Sequence, residues 1–334
     1  MAPFANGSPS RHWTSDKRFM ELNETENNPA PLGVSVSVVS TEDGIQIRAA
    51  HWPSTVREPL GTVIVLQGRT EFIEKYFEAV SDLRRRGFAV ATFDWRGQGR
   101  SQREIDGRCH VEDFSDYDRD LEAVMRDVVL PDCPQPHFLL AHSLGALIGL
   151  RAARDGRVRF SRLVLTAPML RFSPLTAPPV AAVRALTGLG LFLGRDARAV
   201  GNKLLRARYS DAVEDGRPRR IADVLRAAPD LETGLPTVRW LYSSLRAMRD
   251  VEAPTFALAV KQPVLIITSG RDRVVSNAAI EQFTGELRFG AQVIVVGARH
   301  EVLMEPDSLR DEFWAAFDAF IPDGDPFEIA SGGA

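Results

Sequence analysis

Strict alternation of apolar and polar residues first appears at Val34, where "VSVSVVSTEDGIQIRAAHW" changes face at each step on either side of Asp43-Gly44. Period two around a turn dipeptide predicts a β-hairpin. The next apolar runs do not alternate. "TVIVLQG" (62–68), "FAVATFD" (88–94), "HFLLA" (137–141) and "RLVLTAP" (162–168) are continuous, as strands buried on both faces should be. Between them, "FIEKYFEAVSDLRRRG" (72–87) sets Phe72, Tyr76, Phe77, Val80 and Leu83 along one helical stripe and closes with Gly87. "LGALIGLRAARDG" (144–156) reads as a second helix with a glycine stop. Such alternation predicts an α/β fold, a mostly parallel central sheet with helices on both faces.

The alternation breaks at Pro168 and resumes at Pro263 with "PVLIITSG", a helix "NAAIEQFTGEL", a strand "AQVIVVG" and a closing helix "SLRDEFWAAFDAFI". Residues 169–255 read as helices without a strand, so they are expected to form an inserted helical cap. This divides the chain into a polar arm (1–30), two core segments (31–168 and 256–322), the cap between them, and a tail (323–334). No internal repeat is present.

The chain has 334 residues, 44% hydrophobic and 25% charged, and a net charge of −3. That balance belongs to a globular protein and gives no reason to expect nucleic acid as a partner. Cys109 and Cys133 are too few for a disulfide framework and lack the Cys/His spacing of a zinc site. No metal or cofactor is expected, and the cysteine usage suits a reducing, cytoplasmic location. The N-terminal stretch lacks the apolar core of a signal peptide. Residues 175–194, "LTAPPVAAVRALTGLGLFLG", are apolar enough to raise a membrane span. Two prolines, an arginine and three glycines favour instead a lid or interfacial segment. The cap as a whole carries fourteen Lys/Arg against nine Asp/Glu. This bias would steer anionic headgroups or membrane surfaces toward it, or would simply be a solvated face.

Candidate chemistry centres on Ser143. It follows the buried run "FLLAH" and precedes a helix, within Ala141-His142-Ser143-Leu144-Gly145. A sharp strand-to-helix turn needs small residues two positions either side of the serine, and it lifts Oγ toward the positive helix N-terminus. The competing reading is a serine N-cap. A nucleophilic serine needs a base and an acid that orients the base, each beyond a later strand. Asp272 in "PVLIITSGRDRVV" and His300 in "AQVIVVGARHEVLMEP" occupy such positions in the order acid, then histidine. A turn aspartate and a surface histidine are the plainer readings of each taken alone. His12, His51, His110 and His137 fit no such position, and His142 is expected to pack or bond structurally. For the oxyanion, the expected donors are the backbone N–H groups of Leu144 and of Arg69 in "QGRTE". The Arg69 guanidinium would meet a phosphate or remain solvated.

With these residues assembled, the chain resembles the monoacylglycerol lipase-like α/β-hydrolases, and most of all their bacterial lysophospholipase branch. The resemblance rests on "FDWRGQGRS" (93–101), "LAHSLG" (140–145), "TAPM" (166–169), "GLPTVRWL" (234–241) and "GARHEVLMEP" (297–306), in order along roughly 34–320. It implies an α/β-hydrolase fold with Ser143 as nucleophile, Asp272 as acid, His300 as base, and Arg69 and Leu144 as oxyanion donors. It further implies a small-molecule lipid ester as substrate, a lysophospholipid or monoacylglycerol. Two positions depart from the wider pattern: Gln67 stands where a histidine is usual, and Ala141 replaces the first elbow glycine. Generic esterase, thioesterase and peptidase activities stay open, as does a non-catalytic binding role. Peripheral membrane contact and oligomeric state are also open.

Overall fold

The structure, a computed structural model, describes residues 19–105, 108–174 and 216–321. The expected apolar lid at 175–194 therefore lies outside the described residues, as does most of the N-terminal arm.

Eight strands form one sheet. They are β1 (Ser35–Ser40), β2 (Gln46–Trp52), β3 (Thr62–Leu66), β4 (Ala89–Phe93), β5 (His137–His142), β6 (Leu163–Thr166), β7 (Val264–Ser269) and β8 (Gly290–Val295). Their spatial order is β1-β2-β4-β3-β5-β6-β7-β8. The expected hairpin is β1–β2, paired antiparallel from Ser35–His51 to Ser40–Gln46. β2 also runs antiparallel to β4, and every later neighbour is parallel.

The described helices are α1 (Phe77–Arg85), α2 (Ser115–Val124), α3 (Leu144–Asp155), α4 (Arg217–Ala227), α5 (Val238–Val251), α6 (Pro254–Ala259), α7 (Asn277–Glu286) and α8 (Asp307–Phe320), besides shorter turns. The continuous apolar runs have their explanation here. Successive residues of a strand point to opposite faces, and both faces are covered. Ile64, Leu66, Leu139, Leu165 and Ile266 join a core with Leu121, Leu147, Phe256 and Ile280 of the helices on one side. Val63, Val65, Phe138, Leu140, Val164 and Leu265 join a second core with Val80, Leu83, Phe313 and Phe317 on the other.

One expected helix differs at its start. Phe72 is extended, Ile73–Tyr76 form a 3-10 turn, and the α-helix begins only at Phe77. The Asp94 carboxylate takes the Ile73 N–H at 2.9 Å, so the entry is fixed from the end of β4. Between β6 and β7 the described residues form helices, short turns and two isolated bridges, without a strand. Trp240 of α5 donates its indole N–H to the Tyr117 hydroxyl at 2.8 Å, and the Thr237 N–H donates to the Cys109 carbonyl at 3.0 Å. α5 is thus fastened to the core. No described helix is long and apolar enough to cross a membrane.

Candidate active site

Ser143 sits between the last residue of β5 and the first of α3, with φ 50° and ψ −108°. A non-glycine residue rarely adopts this backbone, and the surrounding bonds enforce it. The Ser143 N–H donates to Thr166 at 3.0 Å, while its carbonyl accepts from Leu147 at 3.2 Å and Met169 at 3.1 Å. Helix α3 packs so closely on β3 that a Cβ on Gly145 would lie 2.4 Å from the Leu66 carbonyl oxygen. Glycine at that position is a steric requirement. Ala141, the departure on the other side, is buried without disturbing the β3–β5 or β5–β6 ladder.

Asp272 and His300 lie where the strand-end argument put them, beyond β7 and β8. The His300 Nε2 is 3.1 Å from the Ser143 Oγ, and its Nδ1 is 2.7 Å from the Asp272 Oδ2. All three side chains therefore meet at one rim of the sheet. The Asp272 Oδ1 accepts from the Val274 and Val275 N–H groups at 2.7 and 3.1 Å, which fixes the carboxylate. Burial alone would raise its pKa, but the His300 hydrogen bond and charge, with the two amides, hold it below the ordinary aspartate value. His110 bonds Thr237 and His137 faces the Cys133 carbonyl, so neither joins the constellation.

His142 does not act on the serine but is closer to the site than expected. Its ring packs edge-on against His300 at 4.8 Å, and its Nδ1 lies 3.0 Å from the Thr166 Oγ1. Burial pushes its pKa down to about 4, with Glu71 opposing. A neutral imidazole therefore lies beside His300 near neutral pH.

The loop bearing Arg69 is held by residues whose pattern in the sequence gives no hint of that role. The Gly68 N–H donates to Glu71, and the Thr70 N–H donates to the Gln98 Oε1 at 2.5 Å. The Gln98 amide also donates to the Gly68 carbonyl at 3.2 Å. These clamps flank Arg69 and occupy the donors on either side of it. Gln67, where a histidine is usual, is buried just past the end of β3 and donates to the Thr92 hydroxyl at 3.3 Å. The Arg69 guanidinium, half-buried, lies over the Trp240 ring at 5.7 Å. As the first residue of α3, Leu144 presents a backbone N–H at the helix N-terminus, ahead of the first intrahelical bond.

Comparison with known proteins settles the family. The model of the family described as serine aminopeptidase, S33, matches residues 57–307. The chain belongs to this family of α/β-hydrolases. It is 31% identical over 264 residues to lysophospholipase L2 of Escherichia coli K12, covering 74% of this chain and 76% of that protein. It is 27% identical over 267 residues to a probable lysophospholipase L2 of Haemophilus influenzae, covering 78% and 83%. In fold it is similar to a soluble variant of monoglyceride lipase from Saccharomyces cerevisiae, with a TM-score of 0.68 at 19% identity, covering 88% and 98%. This hydrolase has the mostly parallel sheet flanked by helices that its sequence pattern predicts. Among its described residues, no group of three or more His, Cys, Asp or Glu side chains is arranged to hold a metal ion.

Proposed function

We propose that the protein is a serine hydrolase that cleaves the carboxylic ester of an amphiphilic monoacyl lipid, a lysophospholipid or monoacylglycerol, through an acyl-enzyme. The observation that carries this reading is the unbroken contact from the Ser143 hydroxyl through the His300 imidazole to the Asp272 carboxylate. The Ser143 Oγ attacks the acyl carbonyl as the His300 Nε2 takes its proton. Asp272 holds the Nδ1–H and stabilises the imidazolium. The tetrahedral oxyanion is received by the Leu144 N–H at the N-terminus of α3 and by the Arg69 N–H of the loop after β3. His300 then returns the proton to the leaving alcohol, and a water activated by the same imidazole releases the fatty acid.

The choice of lipid is supported by the lysophospholipase names of relatives that align over most of both chains. In this reading residues 169–255 cap the core formed by 31–168 and 256–322. The chain is cytoplasmic and meets its substrate at the periphery of a lipid surface. A second reading, peptide-bond cleavage, is favoured by the description of the family as serine aminopeptidase. A panel of lysophospholipid, monoacylglycerol, p-nitrophenyl ester and aminoacyl anilide, run on the parent and on Ser143→Ala, separates them. The parent is expected to turn over the monoacyl lipids fastest, and Ser143→Ala to lose every activity. Fast anilide cleavage without ester cleavage would replace the lipid reading with the peptidase one.

A further inference from the structure

Three charged side chains behind the triad have no part in the chemistry above. Lys75, on the 3-10 turn, is 2% exposed, and its Nζ lies 2.6 Å from the Glu71 Oε1 and 2.8 Å from the Glu301 Oε2. We propose that Lys75 is a positioning residue that fixes the distance between the oxyanion loop and the His300 loop. This role rests on the serine-hydrolase reading.

Each carboxylate on Lys75 is tied to one half of the machinery. Glu71 accepts the Gly68 N–H, next to the Arg69 donor, and the Tyr76 hydroxyl at 2.7 Å. Glu301 adjoins His300 in the chain, and the Arg299 N–H on its other side is held by Glu305 at 2.7 Å. The two loops leave the ends of β3 and β8, which are separated in the sheet by β5, β6 and β7. The strands are joined only through the three between them, and beyond the strand ends a side-chain bridge connects the two loops directly. The ammonium supplies a link across 226 positions of sequence. His142 supplies a parallel contact, with its Nε2 3.8 Å from Glu71 and its ring against His300. Glu71, Lys75, Tyr76, His142 and Glu301 line one small cleft together with Thr166.

Two carboxylates brought within reach of a single buried nitrogen repel each other strongly if that nitrogen is removed, because little water is present to screen them. A compact ammonium with three donors can satisfy both. Burial alone would raise the Glu71 pKa, but the Lys75 ammonium, with the Tyr76 hydroxyl, keeps it ionised well below the usual range. Glu71 therefore stays a pure acceptor for the Gly68 N–H, and the loop keeps its shape.

The test uses the full chain with a soluble p-nitrophenyl ester, active sites counted with a fluorophosphonate, and thermal unfolding measured in parallel. Lys75→Met is expected to lower kcat per titrated site by about 100-fold while KM stays within about threefold, as a misplacement of roughly 1 Å should. Glu301→Gln, whose side chain is 19% exposed, is expected to fold normally and to lose about tenfold in kcat. Adding Glu301→Gln to Lys75→Met should recover part of the loss, since one repelling charge is gone. A purely structural lysine would lower the unfolding temperature and leave kcat per site unchanged. Values within threefold of the parent in every variant that folds would overturn the role. Parent protein that takes no label and cleaves no ester would instead overturn the serine-hydrolase reading, and this role with it.

Discussion

Replacing Gly145 by alanine tests the elbow geometry against helix propensity, because the two point in opposite directions. Alanine inside a helix is normally better than glycine by about 1 kcal/mol. At position 145, however, the new Cβ would lie 2.4 Å from the Leu66 carbonyl oxygen and 2.6 Å from that of Gln67. Ordinary contact starts near 3.4 Å, and both obstacles are backbone, so α3 and the end of β3 must part by about 1 Å. Such overpacking costs about 1–3 kcal/mol of stability. The same shift separates the Ser143 hydroxyl and the Leu144 N–H from the loop carrying Arg69, and a loss of about 100-fold in kcat/KM is expected. Gly156, at the other end of α3, is the control. It has φ 67°, and a Cβ placed there would meet no atom within 4 Å, so Gly156→Ala costs about 1 kcal/mol of backbone strain without touching the site. The assay is kcat/KM on a soluble ester per titrated active site, with urea unfolding of both variants. Gly145→Ala at parental kcat/KM, or an equal loss in Gly156→Ala, would show that the close packing of α3 on β3 does not hold the site in place.

Asp272→Asn is expected to lower kcat by about a thousandfold or more while the circular dichroism spectrum stays parental, because an amide no longer holds the imidazole in the productive tautomer. A parental kcat in that variant would remove Asp272 from the mechanism. His142 gives a pH dependence of known sign. In the native state it stays neutral down to about pH 4, whereas the unfolded chain protonates it below about 6.5, so acidification between those values favours unfolding. The contribution is about 3 kcal/mol, lost from pH 6.5 downward and exhausted near pH 4. Urea unfolding at several pH values should show a shallower slope in that window for His142→Gln than for the parent, and identical slopes would contradict the buried neutral state.

The sheet was legible because burial on both faces writes itself as continuous apolar runs, and the β1–β2 hairpin because a one-sided surface writes itself as alternation. Ser143, Asp272 and His300 could be found for a related reason: each follows an apolar run that ends abruptly, and strand ends converge in a parallel sheet. The 3-10 entry to α1 was not legible. Phe72, Tyr76 and Phe77 fit a helical stripe equally well, and the Asp94 carboxylate that sets the actual start is distant in sequence. The clamps on the loop carrying Arg69 were hidden differently. Glu71, Lys75, Gln98 and Glu301 are polar residues that no hydrophobic pattern marks as partners, and only the fold brings Lys75 and Glu301 together. Their one local signal was the i, i+4 spacing of Glu71 and Lys75, which is common on exposed helices and carries little weight by itself.

The central claim is that Ser143 is the nucleophile, and the mass of the protein after exposure to a fluorophosphonate tests it most directly. One covalent adduct per chain is expected, on the peptide containing Ser143, and none on Ser143→Ala. Equal labelling of the two proteins, or an adduct on any other residue, would contradict it.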